Sequence, residues 1–242
     1  MIKILLLICL FFSFAHCFSE WDTRKTAALL QDIKRAADPD DVGKNIKTMR
    51  KKSEGTFLNI RMLNDTYFKS PNKIKQTVET ENLQNATVYF DGRKAVRVDS
   101  LDGNTVLENE ALENFKFSVK LMNPSMSWDK IFDKISVADE LEERNGKKYI
   151  AVTGSFSSDK KLPPCKFLVD PESKLVIYSF IKTPSALGMI ESVTYNLEFK
   201  KLHGMVIPVK TVQSMLLMKF EFTLTDFVIN QDYPDSMFEF KQ

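Results

Sequence analysis

Side chains that carry covalent or acid–base chemistry are scarce in this chain, and their spacing is not that of a catalytic site. There are two histidines, His16 and His203, and three cysteines, Cys9, Cys17 and Cys165. A Ser–His or Cys–His nucleophile pair needs an imidazole beside the nucleophile and a third group to orient it. His203 instead stands in His203-Gly204, a turn dipeptide, with no orienting partner in view. His203 and Cys165 alone do not make a zinc site. With 8 glycines in the whole chain there is no glycine-rich phosphate loop. Asp91 and Asp170 lie in Asp-Gly and Asp-Pro turns, where a short carboxylate serves the backbone. The expectation is a protein that is not an enzyme and takes no metal or cofactor. What the chain has in excess is soft and aromatic apolar surface, with 19 Phe and 10 Met.

The elements that carry this surface must fit into 242 residues, of which 43% are hydrophobic and 27% charged, a globular composition. The formal net charge is +2, too even a balance for nucleic acid to be the main partner. Residues 1–17 read as a signal peptide: Lys3, an apolar run from Ile4 to Phe14, then Ala15-His16-Cys17. That run is too short to span a hydrocarbon core of about 30 Å as a helix. An exported, periplasmic protein is therefore expected, with residues 18–242 forming a single domain. A lipid anchor on Cys17 is the minor alternative, and His16 occupies the place where a lipobox wants a small residue. Export also leaves Cys165 as the one thiol in the body of the fold, so burial rather than disulfides must hold the core.

Two patterns divide the mature chain. Residues 20–52 have helical period and are read as a helical lid. Thr26, Leu29, Leu30, Ile33 and Ala37 form one stripe, and Asp38-Pro39-Asp40 ends it and starts a second helix with Asp38 as N-cap. Val42, Ile46 and Met49 line that second helix, with Lys44, Lys47, Arg50, Lys51 and Lys52 over the rest of its surface. From residue 55 to 240 the period changes to two. The alternating rows include Phe115, Phe117, Val119 and Leu121, then Val193, Tyr195, Leu197 and Phe199, then Met218, Phe220, Phe222 and Leu224. Turn signals such as Asp91-Gly92, Asp102-Gly103, Asn145-Gly146 and His203-Gly204 join neighbours directly. About ten or eleven strands are expected, with a short helix near residues 127–134, and without crossovers the sheet is an antiparallel meander.

That many twisted strands must curl, and the concave side must be filled by side chains, a ligand or a covering element. Phe and Met rows suit a pocket for varied acyl chains, because one is rigid and the other adaptable. The three rows above are the expected cavity lining, faced by Ile33, Ile46 and Met49 from the lid. A one-residue slip in strand parity would turn any of these rows outward.

Six motifs in order now carry a resemblance. Pro71-Asn72-Lys73-Ile74-Lys75 opens a strand, and Phe90-Asp91-Gly92-Arg93 turns the next hairpin. Val169-Asp170-Pro171-Glu172-Ser173 begins another, and Gly204-Met205-Val206-Ile207-Pro208 follows. Val228-Ile229-Asn230 and Asp235-Ser236-Met237-Phe238 close the chain. Over residues 24–240 this resembles the outer-membrane lipoprotein-sorting protein family, relatives of the periplasmic carrier LolA. The resemblance implies a mainly β fold, an unclosed antiparallel barrel covered by N-terminal helices. It implies a monomeric carrier that shelters lipoprotein acyl chains or another lipid between an inner-membrane donor and an outer-membrane acceptor. The alternative is an envelope-stress sensor or structural envelope module built on the same fold. One position departs from the pattern. LolA carriers have an Arg before the Pro-Asn pair that latches sheet to lid, whereas this chain has Ser70, with Lys69 beside it. A hydroxyl cannot replace a guanidinium fork, so the latch is absent or supplied elsewhere.

Overall fold

The computed structural model describes residues 23–81, 85–157, 162–185, 188–216 and 218–241. The export signal and Cys17 therefore lie outside the described residues. No helix among the described residues is long and apolar enough to cross a membrane.

Helix α1 covers residues 23–37 and is followed by one 3-10 turn, Gly43–Asn45. Six strands come next: β1 Thr48–Phe57, β2 Ile60–Lys69, β3 Lys73–Thr80, β4 Ala86–Phe90, β5 Ala95–Asp99 and β6 Gly103–Leu107. Helices α2 Asn109–Met122 and α3 Trp128–Ile131 interrupt the meander, and short strands β7 Lys134–Val137 and β8 Glu142–Arg144 follow them. It resumes with β9 Lys147–Ser155, β10 Cys165–Val169, β11 Val176–Ser185, β12 Gly188–Leu202, β13 Met205–Met215 and β14 Met218–Ile229. The strands form one 14-stranded sheet in the order β6-β5-β4-β3-β2-β1-β14-β13-β12-β11-β10-β9-β7, with β8 pairing β9 off this path. Every pairing is antiparallel, and β1 against β14 joins the two halves. The curved sheet is an unclosed barrel with β6 and β7 at its edges, as the sequence leads one to expect. The expected count fell short because strands of three to five residues, such as β8 and β5, are too brief to show a period.

The turns follow local chemistry. Asn145 and Gly146, and His203 and Gly204, take positive φ in two-residue hairpins. The Asp91 carboxylate accepts the N–H groups of Arg93 and Lys94, and that of Asp170 accepts those of Glu172 and Ser173.

Two expectations are corrected. Residues 109–122 form helix α2, not a strand, so Phe115, Phe117, Val119 and Leu121 belong to a helix. The helix is wedged between two walls. Leu112, Phe115, Val119 and Met122 pack with Phe68, Ile74, Phe90 and Ala95 of β2–β5. Phe117 and Leu121 pack with Ile131, Phe132, Cys165 and Phe167 on the other side. At about 100° per residue, alternate positions fall on opposite sides of a helix, so burial on two sides mimics the period of a strand.

The second helix of the lid is also absent. Asp38 acts as a cap, accepting the N–H groups of Val42 and Gly43 at 2.8 and 2.9 Å, but it starts only the 3-10 turn before β1 begins. Ile46 is a buried residue ahead of β1, and Met49 lies on β1 itself. Of the basic run, Lys44 lies in the 3-10 turn and Lys47 ahead of β1, while Arg50, Lys51 and Lys52 alternate between the two faces of that strand.

The inner face is the one the helices cover. Met49, Phe68, Ile74, Phe90 and Ala95 mark it on β1–β5, and Val152, Cys165, Phe167 and Val169 on β9 and β10. Helix α1 lays Leu29, Leu30 and Ile33 on Val152 and Val169. On the outer face the carboxy-terminal segment is fastened to β2–β4, with Tyr233 edge-on to Tyr67 and Phe240 beside Tyr89. Arg50, also outside, bonds Asp65 at 2.8 Å and Asp226 at 3.3 Å, and the bond to Asp65 first of all raises the guanidinium's pKa.

Candidate functional site

Strand parity decides which predicted residues face inward. Met49 of β1 is on the inner face, and so by alternation are Lys51, Ser53, Gly55 and Phe57. Register carries this face across to β14: Gly55 opposes Phe222, Ser53 opposes Leu224, and Lys51 opposes Phe227 after a bulge. The row Met218, Phe220, Phe222 and Leu224 therefore points into the barrel, as predicted, and each member is only partly buried. None of them belongs to a core cluster with the described helices, whereas the inner rows of β2–β5 and β9–β10 do.

An aromatic ladder forms this row. Phe57 stacks on Phe220 with ring centroids 4.8 Å apart, and Phe220 lies 6.4 Å from Phe222 with nearly parallel rings. The ring of Phe222 rests on Gly55, where an added Cβ would come within 2.5 Å of it. The glycine thus lets the ring lie flat against β1, which smooths the floor of the barrel. Flanking strands are more polar: Thr211 and Gln213 of β13, and Thr194 and Asn196 of β12, share the face by register.

The other predicted row does not join it. Val193 and Tyr195 pair with Phe180 and Tyr178 and lie on the outer face in a cluster with Tyr149 and Leu168. There Tyr178 and Tyr195 stack 4.4 Å apart, with Arg144 over the Tyr178 ring. Burial raises the pKa of Tyr149 and Tyr195. Leu197 sits at a register shift and is 51% exposed, and Phe199 follows a second shift opposite Pro208. Two irregularities in one strand break a strict alternation, so sequence parity could not carry the row through. Of the helical candidates, Ile33 does cover the inner face, over β9 and β10, and Ile46 is a core residue.

Sequence reasoning missed a polar patch beside the row. Asn64 and Thr66 of β2 and Gln76 of β3 share the inner face with Lys51 and Ser53. The Asn64 carbonyl oxygen accepts from Thr66 Oγ1 and from Gln76 Nε2, each at 3.2 Å. Lys51 has no ion pair or hydrogen bond among the described residues, and burial lowers its pKa. A separate groove of about 440 Å³ lies on the outer face among Lys52, Glu54, Arg61, Glu79 and Glu81. Its charges unsuit it to hydrocarbon.

The fastening of helices to sheet does not use the Ser70 position. The Ser70 N–H donates to the Lys47 carbonyl, and Lys69 binds the carboxy-terminal segment at Tyr233 and Asp235. Instead Asn123, the buried cap of α2, donates to the Pro71 carbonyl at 3.1 Å. On the α1 side Lys201 of β12 meets Asp40 at 2.9 Å.

Comparison with solved structures settles which fold this is. The LolA superfamily protein from Nitrosomonas europaea superposes with a TM-score of 0.54 at 10% identity, covering 88% of this chain and 96% of its own. The fold is LolA-like. A DUF1329 family protein from Desulfovibrio piger superposes with a TM-score of 0.52 at 9% identity, again over 88% of this chain and 96% of its own. No family model matches the sequence, and no curated protein does. The LolA-like similarity is therefore one of architecture.

Proposed function

We propose that this protein is an exported, non-enzymatic carrier that holds an acyl chain on the inner row of its LolA-like half-barrel and moves it towards the outer membrane. One observation carries the reading. The helices fill the inner face over β2–β5 and β9–β10, yet among the described residues they leave Met218, Phe220, Phe222 and Leu224 partly exposed on the same face. A contiguous apolar strip open to solvent is unfavourable unless something binds it. Burying hydrocarbon there is worth about 0.8 kcal/mol per methylene, and release then needs helix movement or a stronger acceptor.

A carrier must also meet a bilayer, and one end of the barrel is shaped for it. The β1–β2, β5–β6 and β13–β14 turns all lie at that end, and their tips expose Leu58 by 79%, Leu101 by 75% and Leu216 by 59%. Leu58 and Leu216 have φ of 48° and 55°, a conformation that favours Gly or Asn over a branched side chain. Turns at the opposite end use Pro71-Asn72, Asp91-Gly92 and His203-Gly204. The inner row begins at Met218, directly after the Leu216 turn, so the apolar rim and the apolar row are continuous.

The test is organic extraction and native mass spectrometry of the purified protein. Phe220→Asp and Phe222→Asp should abolish co-purifying lipid, while Leu197→Asp, outside the row, should leave it unchanged. Full lipid occupancy in both inner variants would overturn the reading.

A further inference from the structure

Lys51 gives the proposed cargo a chemical class. Its side chain is half-buried on the inner face, between Thr66 of β2 and Phe227 of β14 by register. Its neighbours along the strand, Met49 and Ser53, are neutral, whereas Arg97 on this face is paired with Asp99 at 2.7 Å. Arg50, the next residue in the chain, shows the ordinary alternative by facing outward and taking two carboxylates. An ammonium turned into the barrel among neutral groups, without a counter-charge, is unfavourable by desolvation. Beside it, Asn64 uses its carbonyl oxygen for Thr66 and Gln76, and its amide N–H₂ has no acceptor among the described residues. Lys51 and Asn64 together present donors and no opposing acid.

The apolar row starts next to these donors. Leu224 opposes Ser53, Phe222 opposes Gly55, and Phe220 stacks on Phe57, so the row follows β1 from Lys51 towards the rim. Six residue-to-residue steps of strand lead from Lys51 to Phe57, about 20 Å at about 3.4 Å per step. A membrane lipid tail spans about half of a ~30 Å hydrocarbon core, so a single extended tail fits this length.

We propose that the inner face binds a single-tailed anionic amphiphile, its carboxylate or phosphate on Lys51 and Asn64 and its tail along Leu224, Phe222 and Phe220 towards the rim. This rests on the carrier reading and adds head-group chemistry and orientation to it. With the rim against a bilayer, the tail points to the hydrocarbon and the head away from it, as in the leaflet the lipid leaves, so transfer needs no inversion.

The experiment compares palmitate with its uncharged ester, methyl palmitate, in displacing the neutral dye Nile red from lipid-stripped protein. Wild-type protein should bind palmitate at least ten-fold more tightly than the ester. Lys51→Met should weaken palmitate at least ten-fold and leave the ester unchanged, and Lys51→Arg should retain most of the preference. The same comparison with lysophosphatidic acid separates a phosphate head from a carboxylate, and loss of either preference in Lys51→Met supports the site. If Lys51→Met binds both anionic lipids like wild type while Phe222→Asp loses them, the head-group assignment is wrong and the carrier reading stands. If wild-type protein binds none of the three lipids, the carrier reading fails and this inference with it.

Discussion

Replacing Lys51 by Met should make the lipid-free protein more stable, although the change removes a charge from the proposed site. The structure sets the sign. The ammonium is partly desolvated, faces Thr66 and Phe227, and has no partner among the described residues. Met keeps most of the stem's volume and removes the group whose hydration is lost. A stabilising substitution of this kind is worth about 0.5–2 kcal/mol. For a chain of this size that is about 1–8 °C in Tm, at about 2–4 °C per kcal/mol. The pH dependence follows from the lowered pKa: between the folded value and the ordinary 10.5, the unfolded chain holds the proton that the native one has released. Wild-type stability therefore rises with pH across that window, and the advantage of Lys51→Met fades as pH approaches 10.5. The neighbours by register, Thr66 and Phe227, are neutral, so no titrating partner of Lys51 masks this dependence. Differential scanning fluorimetry of both proteins, stripped of lipid, from pH 6 to 10.5 reads the difference. A lower Tm for Lys51→Met at pH 7, or a gain that does not shrink with pH, would refute the idea that this lysine is unsatisfied.

Other consequences can be checked separately. Leu58→Gly relieves a φ of 48° and should raise stability by about 1 kcal/mol, while Leu58→Asp with Leu216→Asp should reduce flotation with phosphatidylcholine vesicles. Because Arg61 and Lys219 near the rim are paired with Glu54 and Glu221, that flotation should be insensitive to salt, and binding that disappears at high salt would contradict an apolar contact. Burial pushes the Cys165 thiol up to about 12, so iodoacetamide at pH 8 should modify it only after unfolding; rapid labelling of native protein would contradict its placement. The unfolded thiol ionises near 9.0, so this group lowers stability as pH rises from there towards 12, visible as a falling urea midpoint. Asp38→Ala leaves two backbone N–H groups without their acceptor and should cost about 1–3 kcal/mol in urea unfolding; a loss below about 0.5 kcal/mol would show that the cap is dispensable.

Local sequence alone determined much of the architecture. Asn145-Gly146 and His203-Gly204 take the positive φ that two-residue hairpins require, and the absence of crossovers makes the sheet an antiparallel meander. The row from Met218 to Leu224 is unbroken by a bulge, so its alternation survived into the fold and faces inward as a unit. Tertiary structure decided the rest. Phe115 to Leu121 alternate because α2 has a wall on each side, a burial pattern that no single element's period can reveal. Val193 and Tyr195 alternate just as well, but their strand pairs Tyr178 on the outside, and face is a property of register between strands rather than of spacing within one. Arg50 and Lys51 look equivalent in a basic run, yet β1 sends one to two carboxylates and the other into the barrel. Period is written along the chain, whereas the side that meets water is chosen only when distant strands pair.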